Sequence, residues 1–128
     1  MDIQVGLVYE KTITVTDELT AESLGSGLLP VFATPALVAL IEDCAKTSIA
    51  PFLDEGWGCV GTLVHVEYVS ATLVGKQVTC QTTITQVDRK RIVFDALVTD
   101  DNGVIGRGTH ERFLIQKEAF MNKLRDKK

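Results

Sequence analysis

From Tyr9 to Thr16 apolar and polar positions alternate, with Ile13 and Val15 on one face and Thr12, Thr14 and Thr16 on the other. That period of two predicts a half-buried strand. Residues 17 to 30 lose the pattern, being polar at first and then rich in glycine and leucine (Leu24-Gly25-Ser26-Gly27-Leu28-Leu29), which reads as a loop or a broken short helix. At Thr34-Pro35 the period changes to that of a helix: threonine is an N-cap residue and proline suits the first helical position. The apolar residues Leu37, Val38, Leu40, Ile41, Cys44, Ala45 and Ile49 then run on to Pro51. They cover most of the circumference, so this one long helix is expected to be wrapped by other structure.

The remainder supplies the wrapping. Val60 to Val69, Gln77 to Val87, Arg91 to Thr99 and Val104 to Gln116 are rich in Val, Ile, Thr and aromatic residues and read as four strands. Asp88-Arg89-Lys90 and Asp101-Asn102-Gly103 separate consecutive strands tightly, the second with the Asn-Gly hairpin signal, so these neighbours are expected to pair antiparallel. One helix against a five-stranded antiparallel sheet is an α+β layer architecture. So apolar a helix requires the sheet to curl around it or a partner subunit to cover it.

Composition narrows the class. A chain of 128 residues, 45% apolar and 23% charged, suits one folded domain over 1–128. A formal charge of -4 without a basic stripe disfavours nucleic acid as a partner. Cys44, Cys59 and Cys80 are odd in number and form no CxxC pair, which argues against a disulfide framework or structural zinc and for reduced thiols. The N-terminus has no basic region followed by a long apolar run, and no stretch approaches a membrane span, so a cytoplasmic location is expected. Gly106 and Gly108 lack the third glycine and strand-helix context of a dinucleotide fingerprint, and no cofactor or metal is expected.

Four blocks carry a resemblance: Val31-Phe32-Ala33-Thr34, the helix bearing Glu42, the run Gly61-Thr62 to Tyr68, and Gly106-Arg107-Gly108-Thr109-His110-Glu111-Arg112. Together they resemble the fluoroacetyl-CoA thioesterase family of hotdog proteins, over roughly residues 31 to 128. The resemblance implies a hotdog fold, an acyl-CoA substrate and a homodimer. It further implies that Thr34 supplies the catalytic hydroxyl, Glu42 the carboxylate and Gly61 a backbone contact to the thioester, with Phe32, Thr62 and Arg112 near the substrate. The family's histidine falls at Tyr68. His65 lies three residues earlier, and an odd offset along a strand points it to the opposite face. The segment before the Val31 block also differs: where the family carries phenylalanines this chain has Gly25 to Leu29, so fluoroacetyl specificity is not carried over.

Each residue has a plainer reading. Glu42 could lie on the exposed edge of its helix with Asp43 and Lys46, or be buried and need donors; Asp43 is the fallback carboxylate. Thr34 is a good N-cap, and the N–H groups of Ala36 and Leu37 at the helix start could hold an oxyanion. Tyr68, reckoned on one face with Thr62, Val64 and Val66, could donate its phenol or simply pack. His110 and Arg112 read as a solvated face, with Arg112 alternatively orienting Glu42 or binding phosphate. Lys123, Arg125, Lys127 and Lys128 read as a solvated basic tail, with contact to CoA phosphates the other reading.

Thr34 and Glu42 are eight positions apart, about 12 Å of helical rise, too far for direct contact within one chain. A composite site across a two-fold dimer is therefore expected. Hydrolysis of a small or medium acyl-CoA is the leading function, a non-catalytic acyl-CoA-binding protein that lost the histidine is the second, and a hotdog dehydratase or hydratase the third.

Overall fold

In the computed structural model, which describes residues 1–127, five strands form one antiparallel sheet around a long helix. The elements are β1 (Val8–Thr14), a single helical turn α1 (Ala21–Leu24), α2 (Thr34–Ile49), β2 (Trp57–Tyr68), β3 (Gln77–Asp88), β4 (Arg91–Asp100), β5 (Gly103–Gln116) and α3 (Lys117–Arg125). The spatial order is β1-β3-β4-β5-β2, so the consecutive strands β3, β4 and β5 form the hairpins that the two turns imply, while β2 crosses over to the far edge. Gly103 has φ 125°, the left-handed geometry that its tight turn requires and that a side chain resists.

The curled sheet closes over α2. Leu37, Leu40, Ile41, Cys44, Ala45 and Ile49 are all buried there, each large aliphatic contributing about 1.5–3 kcal/mol. Around the first turns they meet Val15, Phe32, Val78, Cys80, Val98 and Ile105, and around the last turns Ile84, Ile92, Phe94 and Leu114. Gly108 lets β5 approach β2 closely, since a Cβ there would run into the His65 carbonyl and the Val66 backbone. Asp43, on the flank of α2, ties the helix to β1 through Lys11 and to its own next turn through Lys46 at 3.0 Å.

Two expectations need correction. The long helix begins at Thr34 itself, with Ala33 at the N-cap position, so Thr34 is not the cap. Its first backbone bond, Leu37 N–H to Ala33 O at 2.9 Å, engages Leu37, so the N–H groups left without a helical partner are those of Thr34 and Ala36. Lys123 and Arg125 are exposed, in keeping with a solvated tail, and belong to α3, which is capped by the Gln116 side chain accepting from Ala119 N–H at 2.6 Å. Lys128 lies outside the described residues. Among the described residues no helix is long and apolar enough to cross a membrane.

Candidate active site

A bulge in β2 builds the site. The register against β5 shifts between Gly61 and Leu63, so Gly61 pairs with Arg112 and Val64 with His110. Without the bulge, Gly61 and Tyr68, seven residues apart, would face opposite sides of the sheet; with it, Cys59, Gly61, Val64, Val66 and Tyr68 all face α2. Thr62 is the residue displaced. It is exposed, and its Oγ1 donates to the Glu111 carbonyl at 3.2 Å, so it does not share the face of Val64, Val66 and Tyr68 as simple alternation implies.

The same pairing turns the even-numbered residues of β5 inward. His110 is 0% and Arg112 6% exposed, which overturns their assignment to a solvated face. Arg112 Nη1 donates to Glu42 Oε2 at 3.3 Å and to His110 Nε2 at 3.2 Å, while its Nε points at the Cys59 thiol at 3.0 Å. Of the two outcomes open to a carboxylate on this helix, Glu42 therefore finds a donor. Its side chain keeps 42% of its surface, enough to meet a ligand. Gly61 explains itself here: a Cβ would lie 2.5 Å from Glu42 Oε2, 3.2 Å from Arg112 Nη1 and 3.4 Å from His110 Cε1. The carboxylate occupies the space a side chain would take.

Asp43 cannot stand in for Glu42. Hydrogen bonds from Lys11 and Lys46 hold its carboxyl down to about 2, so it is a weak base. Burial lowers the His110 pKa, opposed by its bond to Leu63, and the neighbouring Arg112 lowers it further.

The other candidates sit around the start of α2. Thr34 is exposed and lines a cavity of about 310 Å³ with Phe32, Tyr68, Ser26 and Ser70. Tyr68 donates its phenol to the Phe32 carbonyl at 2.7 Å, and burial raises its pKa, so it is a neutral donor at pH 7. The Phe32 ring is 1% exposed, its centroid 6.5 Å from that of Tyr68, so this residue offers the cavity its backbone rather than its ring. Within one chain the structure thus yields two half-sites, Thr34 with Tyr68 and Glu42 with Gly61 and Arg112. His65 belongs to neither: it lies on the outer face of the sheet, in a polar depression with Glu67, Asp95 and Arg107.

His110 and Cys59 were not among the expected site residues. The available signal was glycine: Gly61 inside a strand marks a bulge, and Gly106 and Gly108 share the inward face of His110 and Arg112.

A helix enclosed by a curled five-stranded antiparallel sheet in this strand order defines the hotdog class. The hot-dog-like protein of Thermanaerovibrio acidaminovorans superposes with a TM-score of 0.88 at 22% identity, over 95% of this chain and 90% of that one. A crystal structure of the fluoroacetyl-CoA thioesterase matches more closely, with a TM-score of 0.94 at 30% identity over 100% of this chain and 99% of that one. The fluoroacetyl-CoA thioesterase of Streptantibioticus cattleyicolor is 37% identical over 97 residues, 76% of this chain and 70% of that protein. The model of the fluoroacetyl-CoA-specific thioesterase family matches residues 15–118, and the chain belongs to that family.

Proposed function

We propose that this protein hydrolyses a small or medium acyl-CoA to the free acid and CoA, as a homodimer in the cytoplasm whose 1–128 chain acts as a single hotdog domain. The observation that carries the reading is the convergence of Glu42, Arg112 and Gly61: a half-exposed carboxylate, oriented by a buried cation and laid against backbone that has no side chain. Family membership supports thioester chemistry at that point. Free Cys44, Cys59 and Cys80 fit a reducing compartment.

The chemistry needs a nucleophile, a base and donors for the oxygen that gains charge. Glu42 takes a proton from water, directly or through the Thr34 hydroxyl. The oxygen attacks the thioester carbonyl, and a tetrahedral intermediate forms. The Gly61 backbone and the Tyr68 phenol lie where the acyl carbonyl is held, the phenol exchanging its Phe32 acceptor for substrate. The C–S bond then breaks, and the CoA sulfur leaves with the proton that Glu42 had taken. Arg112 keeps Glu42 aimed, and Phe32 borders the acyl group through its backbone at the cavity rim; Thr62, on the other face, holds the bulge through the Glu111 carbonyl instead of meeting substrate.

Dimerisation unites the half-sites. β2 is an edge strand of 12 residues, and an unprotected edge of that length is a template for another strand. Antiparallel pairing of two copies about a two-fold axis at Val64–His65 would set one protomer's Tyr68 beside the other's Gly61, and thus Thr34 near Glu42. Fluoroacetyl specificity is not part of the proposal, because Leu28 and Leu29 stand 91% and 64% exposed before the Val31 block, where the family carries phenylalanines.

A panel of acyl-CoAs of increasing chain length, read by free-thiol release, tests the reading. Release from short and medium esters is expected. Binding without release from any of them would refute hydrolysis.

A further inference from the structure

The mechanism leaves unused a buried imidazole at the centre of the site. His110 is 0% exposed and its ring stacks on Phe94 with centroids 5.9 Å apart and planes 28° apart. Nδ1 lies 2.7 Å from the Leu63 carbonyl beside the β2 bulge, and Nε2 lies 3.2 Å from Arg112 Nη1. These partners determine the tautomer. A carbonyl has no proton to give, so Nδ1 carries the hydrogen; a guanidinium has no lone pair, so Nε2 must be the acceptor.

Arg112 is long and flexible, and its Nη1 has two hydrogens. One goes to His110 Nε2 and the other to Glu42 Oε2 at 3.3 Å. With the imidazole fixed by Leu63 and Phe94, the direction of the second hydrogen is fixed as well. We infer that His110 is a positioning residue of the proposed thioesterase site: as the neutral Nδ1–H tautomer it anchors Arg112 through Nε2 and so aims the guanidinium at Glu42. It touches no substrate. The inference rests on the hydrolytic reading for its kinetic consequence but not for the hydrogen-bond arrangement.

A neutral role agrees with the surroundings. Arg112 from β5 itself, Glu42 from α2 and Glu111 beside it on β5 are the charged groups whose fields reach the ring, and burial outweighs the pull of the carboxylates. A protonated ring would turn a second cation toward Arg112 and break the Nε2 contact.

The test has two arms. The first uses the whole protein, without substrate, labelled with ¹⁵N at histidine; the chain has 2 histidines, and His65→Gln on the outer face leaves the His110 signals alone. A protonated Nδ1 and an unprotonated, hydrogen-bonded Nε2 at neutral pH are expected; in Arg112→Met the Leu63 carbonyl keeps the hydrogen on Nδ1, while the Nε2 resonance moves to that of a nitrogen without a donor. An Nε2–H form, or an imidazolium, would overturn the inference. In the second arm, His110→Phe keeps a ring on Phe94 but no acceptor, whereas His110→Gln offers Arg112 a side-chain carbonyl at similar reach. The phenylalanine variant should lose about tenfold to hundredfold in kcat with KM unchanged, the scale of a small misplacement of a reacting group. The glutamine variant should recover most of that loss. Equal loss in both, or no loss in His110→Phe, would refute a positioning role. Should the wild type release no thiol, hydrolysis fails as a function while the Nε2 resonance still reads the Arg112 contact.

Discussion

Arg112 Nη1 reaches Glu42 Oε2 across 70 positions of sequence, 3.3 Å from a carboxylate that a single glycine, Gly61, makes room for. The cation is buried and the carboxylate half exposed. Desolvation therefore falls chiefly on Arg112, which is why it also engages His110 and Cys59, while Glu42 keeps an open side for chemistry.

Gly61→Ala should separate fold from activity. The added methyl meets the Glu42 carboxylate at 2.5 Å and must push it off its Arg112 contact. Gly61 sits on an edge strand, so circular dichroism and chromatographic behaviour should stay like wild type while kcat falls by about a hundredfold. A fully active Gly61→Ala variant would place the chemistry elsewhere.

Acid should weaken the fold in two stages. His110 has a folded pKa below its ordinary 6.5, so the unfolded chain takes up that proton first and stability drains as pH falls below about 6.5. Asp43, held at about 2 against an ordinary 3.8, adds a second loss between about pH 4 and pH 2, softened because the group is partly in water. Urea midpoints at about pH 7.5 and 5.5 isolate the first stage. A drop is expected in wild type and should largely vanish in His110→Phe; an equal drop in both would assign the effect to another group.

Much of the architecture is legible in the chain because periodicity and turn chemistry report it directly: the Asn102-Gly103 turn, the Thr34-Pro35 start and the alternating strands all appear near their expected residues. The strand faces are harder. A bulge adds one residue and reverses every face assignment beyond it, and alternation alone cannot say where that residue falls, so a strict period of two puts Thr62 on the wrong face. The burial of His110 and Arg112 was hidden for another reason. Charged residues inside a strand normally mark its wet side, and only their tertiary partners Glu42 and the Leu63 carbonyl make an inward placement affordable. The helix α3 is hidden because it is only 9 residues long, buries none of them, and carries the basic residues Lys123 and Arg125 that read as a solvated tail.

The composite site makes a prediction about mixtures. On the route through the Thr34 hydroxyl, Thr34→Ala and Glu42→Ala proteins are each inactive alone and should regain activity when unfolded together and refolded, because half the dimers then carry one intact site of two. About a quarter of wild-type activity is the statistical expectation for such exchange. Absence of any recovery, with heterodimers shown by mass spectrometry, would mean that one chain holds the whole site.

The most direct measurement is thiol release from an acyl-CoA panel by wild type and Glu42→Gln side by side. The substitution keeps the shape beside Gly61 and an acceptor for Arg112 but removes the base. Release by wild type that falls by about a hundredfold or more in Glu42→Gln, with ester binding retained, is the expected result; undiminished release by Glu42→Gln would contradict Glu42 as the base.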